Sequence, residues 1–188
     1  LGLESMSLLL DAMDNPQDKL KFIHIAGTNG KGSTSTMIAT ILTTAGYNTG
    51  LFTSPFLEAF NERIQLNNQP IDDDSLVAAT IFVKERIEVL MEQGEPHPTE
   101  FEMVTAVGLQ YFYQKQVDFV VLEVGLGGRL DATNIIKDPL AVVIMGISND
   151  HTDYLGNTLA EIAFEKASII KDGSDVVVYP QDPEALKV

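Results

Sequence analysis

Apolar and polar positions alternate along this chain with two periods, and the changes between them mark the elements. Leu3, Met6, Leu9, Leu10 and Met13 recur at helical spacing, so residues 3–13 read as an amphipathic helix that Asn15-Pro16 ends. Residues 21–26 are an apolar run of strand length, and 31–45 form a long helix closed by Gly46. A short strand at 48–53 runs into Thr53-Ser54-Pro55-Phe56, and the alternation in Arg63-Ile64-Gln65-Leu66 before Asn67-Asn68 suggests a small hairpin or ordered loop within 62–71. Aspartates at 72–74 cap a helix whose apolar face is Leu76, Thr80, Val83, Ile87 and Leu90, with Gly94 at its end. Thr99 and Glu102 have the spacing of a capping box for a helix that buries Phe101, Val104, Gly108, Tyr111 and Phe112. The nearly continuous apolar runs at 117–124 and 140–147, rich in β-branched residues, are expected of parallel strands covered on both sides. Thr158 and Glu161 make a second capping box, opening a helix to about residue 170 before a last strand at 175–179. Strands alternating with helices predict an α/β fold, a doubly wound and mostly parallel sheet.

Composition narrows the function classes. At 188 residues and 45% apolar, the chain can bury a substantial core in one domain. No apolar stretch approaches a membrane span, and the opening residues lack a basic region followed by an apolar segment and cleavage site. The absence of cysteine excludes disulfides, cysteine zinc sites and thiol catalysis, and agrees with a cytoplasmic setting. A formal charge of −15 argues against nucleic acid or an anionic membrane as partner, so an anionic small substrate would need local cations and metal. The first residue is Leu1 and the last, Val188, falls in what reads as mid-helix, which suggests a fragment.

The chemistry gathers at strand ends. Gly27-Thr28-Asn29-Gly30-Lys31-Gly32-Ser33, following one strand and opening a helix, has the make-up of a phosphate cradle. Glycines turn backbone N–H groups toward an anion, the helix start adds its dipole, Lys31 brings a mobile charge and Ser33 a hydroxyl for magnesium. The generic phosphate-loop pattern is not met, because Ile25 stands where its first glycine should be and Gly32 where its hydroxyl should be. An ordinary glycine-rich turn is the plainer alternative.

Ligands of open parallel sheets bind outside the strands' carboxyl ends. Those ends carry Ser54, Glu123, and Asn149-Asp150-His151-Thr152-Asp153. An apolar strand ending in Glu123 is how phosphate-loop enzymes hold magnesium or align water. His151 at such an end, beside Asp150 and Asp153, is a candidate ligand for a second divalent ion, and manganese can substitute there because histidine is an uncommon magnesium ligand. His24, inside a strand, reads as a core residue, and His97, between two prolines, as a rigid loop residue. Arg129, within a second glycine-rich stretch from Gly125, is placed to meet a carboxylate or phosphate.

These motifs, with Asn61-Glu62-Arg63-Ile64, Phe101-Glu102, Leu130-Asp131-Ala132-Thr133-Asn134 and Glu165-Lys166-Ala167, resemble folylpolyglutamate synthase and dihydrofolate synthase of the Mur ligase superfamily, in register over nearly the whole chain. The resemblance implies that residues 1–188 are part of a central-type ATP-binding domain, followed in the whole protein by a carboxy-terminal domain. Gly27, Thr28, Asn29, Gly30, Lys31, Gly32 and Ser33 would bind ATP. Ser33, Ser54, Glu123 and His151 would serve magnesium at two sites, joined by Lys166 once carbamylated. Thr99, Glu100, Phe101, Glu102, Arg129, Leu130, Asp131 and Ala132 would lie near the pterin. Lys31, His151 and Lys166 would be the catalytic group. The implied activity is ATP-dependent addition of L-glutamate to a reduced folate through an acyl phosphate, dihydropteroate being a second candidate acceptor, by a cytoplasmic protein that is a monomer when intact. Residues 1–188 alone are expected to be inactive. A phosphate-loop kinase and a catalytically idle nucleotide-binding module are the rival readings.

Overall fold

A computed structural model describes residues 2–148 and 156–188. Its elements run α1 (Glu4–Ala12), β1 (Phe22–Ala26), α2 (Lys31–Thr44), β2 (Thr49–Phe52), β3 (Ile64–Leu66), β4 (Gln69–Pro70), α3 (Asp73–Glu92), α4 (Glu100–Gln114), β5 (Phe119–Glu123), β6 (Ala141–Ile144), α5 (Leu159–Ala167) and β7 (Asp175–Val178). The strands form one seven-stranded sheet in the order β4-β3-β2-β5-β1-β6-β7. From β2 to β7 all pairings are parallel, and β3 and β4 add an antiparallel hairpin on the outer edge of β2. Asn67 and Asn68 turn that hairpin at φ 51 and 64°, a left-handed conformation that asparagine tolerates. The chain winds to one side of β1 through β2 and β5, then crosses to β6 on the other side, so the loops leaving the central strands' carboxyl ends meet in one crevice.

Side chains alternate across the sheet and fill two layers. Phe22, Phe52, Val120 and Leu122 join Leu9, Val83, Leu109 and Phe112 from α1, α3 and α4 in the larger core. On the opposite face Ile25, Leu51, Val121 and Val143 pack on Ile38, Ala39 and Leu42 of α2. Burial on both faces is what lets the central strands read as unbroken apolar runs. Both capping boxes form: Glu102 N–H donates to Thr99 Oγ1 at 3.3 Å while Thr99 N–H donates to Glu102 Oε2 at 2.7 Å, and Thr158 and Glu161 exchange bonds of 3.2 and 3.1 Å.

Two expectations need correction. Thr80 is exposed, and Ala79, one turn before Val83 and Ile87, holds the buried position on α3. α4 is not one-sided: it is buried continuously from Val104 to Phe112, lying between the sheet and its neighbours α1 and α3. β7, in contrast, has all four of its residues exposed.

Candidate active site

β1 delivers the glycine loop to the crevice. Gly30 adopts φ +85°, which lets the chain reverse and start α2 at Lys31 without a Cβ clash. The loop is stapled to the segment following β6: Thr28 and Asn29 N–H groups donate to Gly146 O at 2.8 and 3.3 Å, and the Thr28 hydroxyl donates to Ser148 O at 3.1 Å while accepting from Ser148 N at 3.2 Å. Asn29 Nδ2 reaches Ser148 Oγ at 3.4 Å. Lys31 folds back over the turn, its Nζ 3.3 Å from Thr28 O, and Ser33 is exposed on the first turn of α2. Thr34 N–H closes the first turn on Gly30 O at 3.0 Å, while the N–H groups before it have no carbonyl four residues behind them and the helix dipole is positive here, an arrangement suited to an anion.

Glu123 ends β5 beside it. The residue is only 3% exposed, its Oε2 accepts from Ser54 N–H at 3.2 Å, and a Cβ at Gly32 would lie 3.6 Å from that oxygen. Burial pushes the carboxyl up to about 7, against the opposing pull of the Ser54 N–H and the Lys31 charge. Lys166, 3% exposed on α5, donates to Gly27 O at 3.0 Å and so ties that helix to the start of the loop. Among the described residues no three His, Cys, Asp or Glu side chains come together as a metal cage. Asp150, His151 and Asp153 lie outside the described residues.

A cavity of about 820 Å³ opens next to Ser54. Phe101 forms part of its wall against Gly125, where a Cβ would come within 2.5 Å of the ring, so the second glycine stretch is shaped around this aromatic. Thr99, Glu102, Arg129, Leu130, Asp131 and Ala132 also line it, whereas Glu100 does not.

Several of these side chains are already engaged. Glu102 accepts from Thr99 N–H and Oγ1, and Arg129 Nε donates to Glu165 at 2.9 Å. Asp131 is turned inward: Oδ2 accepts from Leu126 N–H at 2.8 Å, and Oδ1 accepts from Thr133 N–H at 3.0 Å and from the Thr133 hydroxyl at 2.5 Å. Burial raises its carboxyl above the usual range, while those donors oppose the shift. With its proton given to Asp131, Thr133 Oγ1 can only accept from His24 Nε2, 2.9 Å away, which fixes the proton on that nitrogen. His24, fully buried as its strand position predicts, therefore connects β1 to the cavity wall, and burial lowers it to about 3. Neither this link nor the Ser148 staple follows from sequence spacing, and Arg63, which also lines the cavity, has no role there from its residue type alone.

Residues 25–188 match the Mur ligase middle domain. The chain belongs to that family. The chain is 47% identical over 188 residues to a dihydrofolate synthase/folylpolyglutamate synthase of Bacillus subtilis (strain 168), covering all of the chain and 44% of that relative's length. An FPGS–AMPPCP complex superposes with a TM-score of 0.97 at 44% identity, covering 100% of this chain and 46% of the other. An FPGS–AMPPCP–folate complex gives 0.95 at 43% identity, covering 100% and 47%. The chain thus spans less than half the length of these relatives.

Proposed function

We propose that this domain carries the phosphate- and folate-binding portion of an ATP-dependent ligase that joins L-glutamate to the terminal carboxylate of tetrahydrofolate, with dihydropteroate to be tested as a second acceptor. The observation that carries the reading is adjacency: Ser54 N–H holds Glu123 beside the glycine loop, and Ser54 itself lines the 820 Å³ cavity that Phe101 and Gly125 shape. The names of the superposed complexes, with AMPPCP and with folate, favour the same pair of ligands.

A carboxylate is a poor electrophile, so ATP would convert the folate carboxylate to an acyl phosphate before the glutamate amine attacks the carbonyl carbon and expels phosphate. In this chemistry the first-turn N–H groups of α2 and the Lys31 ammonium offset charge on the transferring phosphoryl oxygens. The staple to Gly146 and Ser148 keeps those donors from reorganising as charge develops.

Glu123 suits a divalent cation. Its buried carboxyl is hard to ionise alone, and a neighbouring cation would favour the charged form. Magnesium is commonly held by one or two carboxylates plus phosphate oxygens and water, so Glu123, Ser54 and Ser33 provide a fitting oxygen set without a dense protein cage. His151, and Lys166 as a carbamate, would extend that set. Bound magnesium would neutralise phosphate charge.

The test supplies the full-length gene product with ATP, magnesium and labelled L-glutamate, offering tetrahydrofolate and dihydropteroate separately. Label entering a folate product with stoichiometric release of free phosphate is the expected result. A stable phosphorylated product without glutamate incorporation would establish a kinase instead, and nucleotide binding without turnover an idle module.

A further inference from the structure

His24 stands where an aliphatic side chain would pack at lower cost. It is fully buried in the middle of β1, and its register partners on either side, Leu122 of β5 and Val142 of β6, are apolar. Nδ1 has no hydrogen-bond partner, and an orphaned buried nitrogen costs stability. The imidazole is engaged through Nε2 alone, which donates to the Thr133 hydroxyl at 2.9 Å, and Thr133 is itself fully buried.

From Thr133 the bonds run on in one direction. Its hydroxyl donates to Asp131 Oδ1, and Asp131 Oδ2 accepts from Leu126 N–H at 2.8 Å. Among the described residues that N–H donates to no backbone carbonyl, so the near end of the glycine-rich stretch hangs on the Asp131 side chain. The far end has separate fastenings: Arg129 N–H donates to Glu165 O at 2.9 Å, and Asn134 Nδ2 to Arg129 O at 3.0 Å. The near end carries Gly125 and Leu126, which both line the cavity, Gly125 against the ring of Phe101.

We infer that His24 and Thr133 are positioning residues for the cavity, holding Gly125 and Leu126 through Asp131 so that folate meets a wall already formed. This role rests on the folate reading of the cavity and adds two residues that touch no ligand. Each donor in such a chain polarises the next, and the Thr133 hydroxyl, fixed by His24 behind it, keeps the carboxylate turned toward Leu126. A wall set before the ligand arrives has less to order on binding, which raises affinity without a new contact.

Full-length wild type, Thr133→Val, His24→Leu, the double variant and Thr133→Ser are titrated with folate and with ATP, and amide exchange over residues 125–131 is followed by mass spectrometry. Folate affinity is expected to fall at least fivefold in Thr133→Val and at least threefold in His24→Leu, with ATP affinity within twofold of wild type and faster exchange over the stretch in both. Thr133→Ser, which keeps the hydroxyl, should stay within twofold of wild type for both ligands. The double variant should lose no more than Thr133→Val, because His24 acts only through that hydroxyl. Unchanged folate affinity in both single variants overturns the inference, as do equal losses for folate and ATP, which would mark general damage to the core. A Thr133→Ser loss matching that of Thr133→Val, or additive losses in the double variant, overturns it too. Wild type that does not bind folate overturns the folate reading itself, and this role with it. If one single variant does not fold, the other decides by the ratio of folate loss to ATP loss; if neither folds, the pair supports the core rather than the wall and the inference falls.

Discussion

His24 is a buried base whose neutrality has a measurable cost in acid. In the unfolded chain it titrates near 6.5, while in the fold burial, with the charge of Lys171 adding to it, holds it at about 3. Between these values the unfolded state binds the extra proton, so the stability present above pH 6.5 is lost as pH falls toward 3, by about 2 kcal/mol at pH 5. His24→Gln keeps an N–H donor for Thr133 but cannot titrate, so its urea midpoint should fall less between pH 7 and pH 5 than that of wild type. Equal slopes in the two proteins would mean that His24 is not held neutral. Lys31 differs in kind, because its side chain covers a loop rather than filling a core. Lys31→Ala should therefore leave thermal unfolding within about 1 °C, a surface substitution costing little, while ligation by the full-length protein falls below detection. Ligation near the wild-type rate in that variant would remove the phosphate role.

Elements were legible in the sequence where one local rule governed them. The capping boxes at Thr99 and Thr158 follow from a three-residue spacing, and both exist. The glycine loop and Glu123 could be placed because each follows an apolar strand directly. What depended on distant contact was not legible. His24 and Thr133 are 109 positions apart and meet only through the tertiary fold, and Thr28 meets Ser148 across 120 positions. The misassigned Thr80 reflects a four-residue step that admits either Ala79 or Thr80 until α4 and α1 choose the face. Thr99 joins a place that local spacing predicts to one that only the resemblance implied, since it caps α4 and lines the cavity. Thr99→Ala should cost about 1 kcal/mol of stability, the usual worth of a lost cap, and Thr99→Ser should restore it in urea unfolding. Folate affinity of the full-length protein tests the second role: a loss in Thr99→Ala beyond what Thr99→Ser shows would be contact through the hydroxyl, an equal loss in both would be contact through the methyl, and no loss in either would leave Thr99 a cap alone.

For the molecule as a whole, the sheet sets both what is protected and what is bare. β1, flanked by β5 and β6 and covered on both faces, anchors the glycine loop in the best-packed part of the domain. At the far side, β7 pairs only with β6 among the described residues, and Val176, Val177 and Val178 are 41, 58 and 45% exposed. A short run of β-branched residues with one unpaired row of N–H and C=O groups is a template on which a second molecule can add its own strand. The domain's strong negative charge opposes such encounters at low ionic strength, and salt removes that opposition. Residues 1–188 kept at high protein concentration should consequently self-associate as sodium chloride is raised, and Val177→Lys should suppress it, both read by light scattering. The same strand that closes one side of the sheet thus exposes residues 1–188 to a colloidal hazard that salt, rather than unfolding, would bring out.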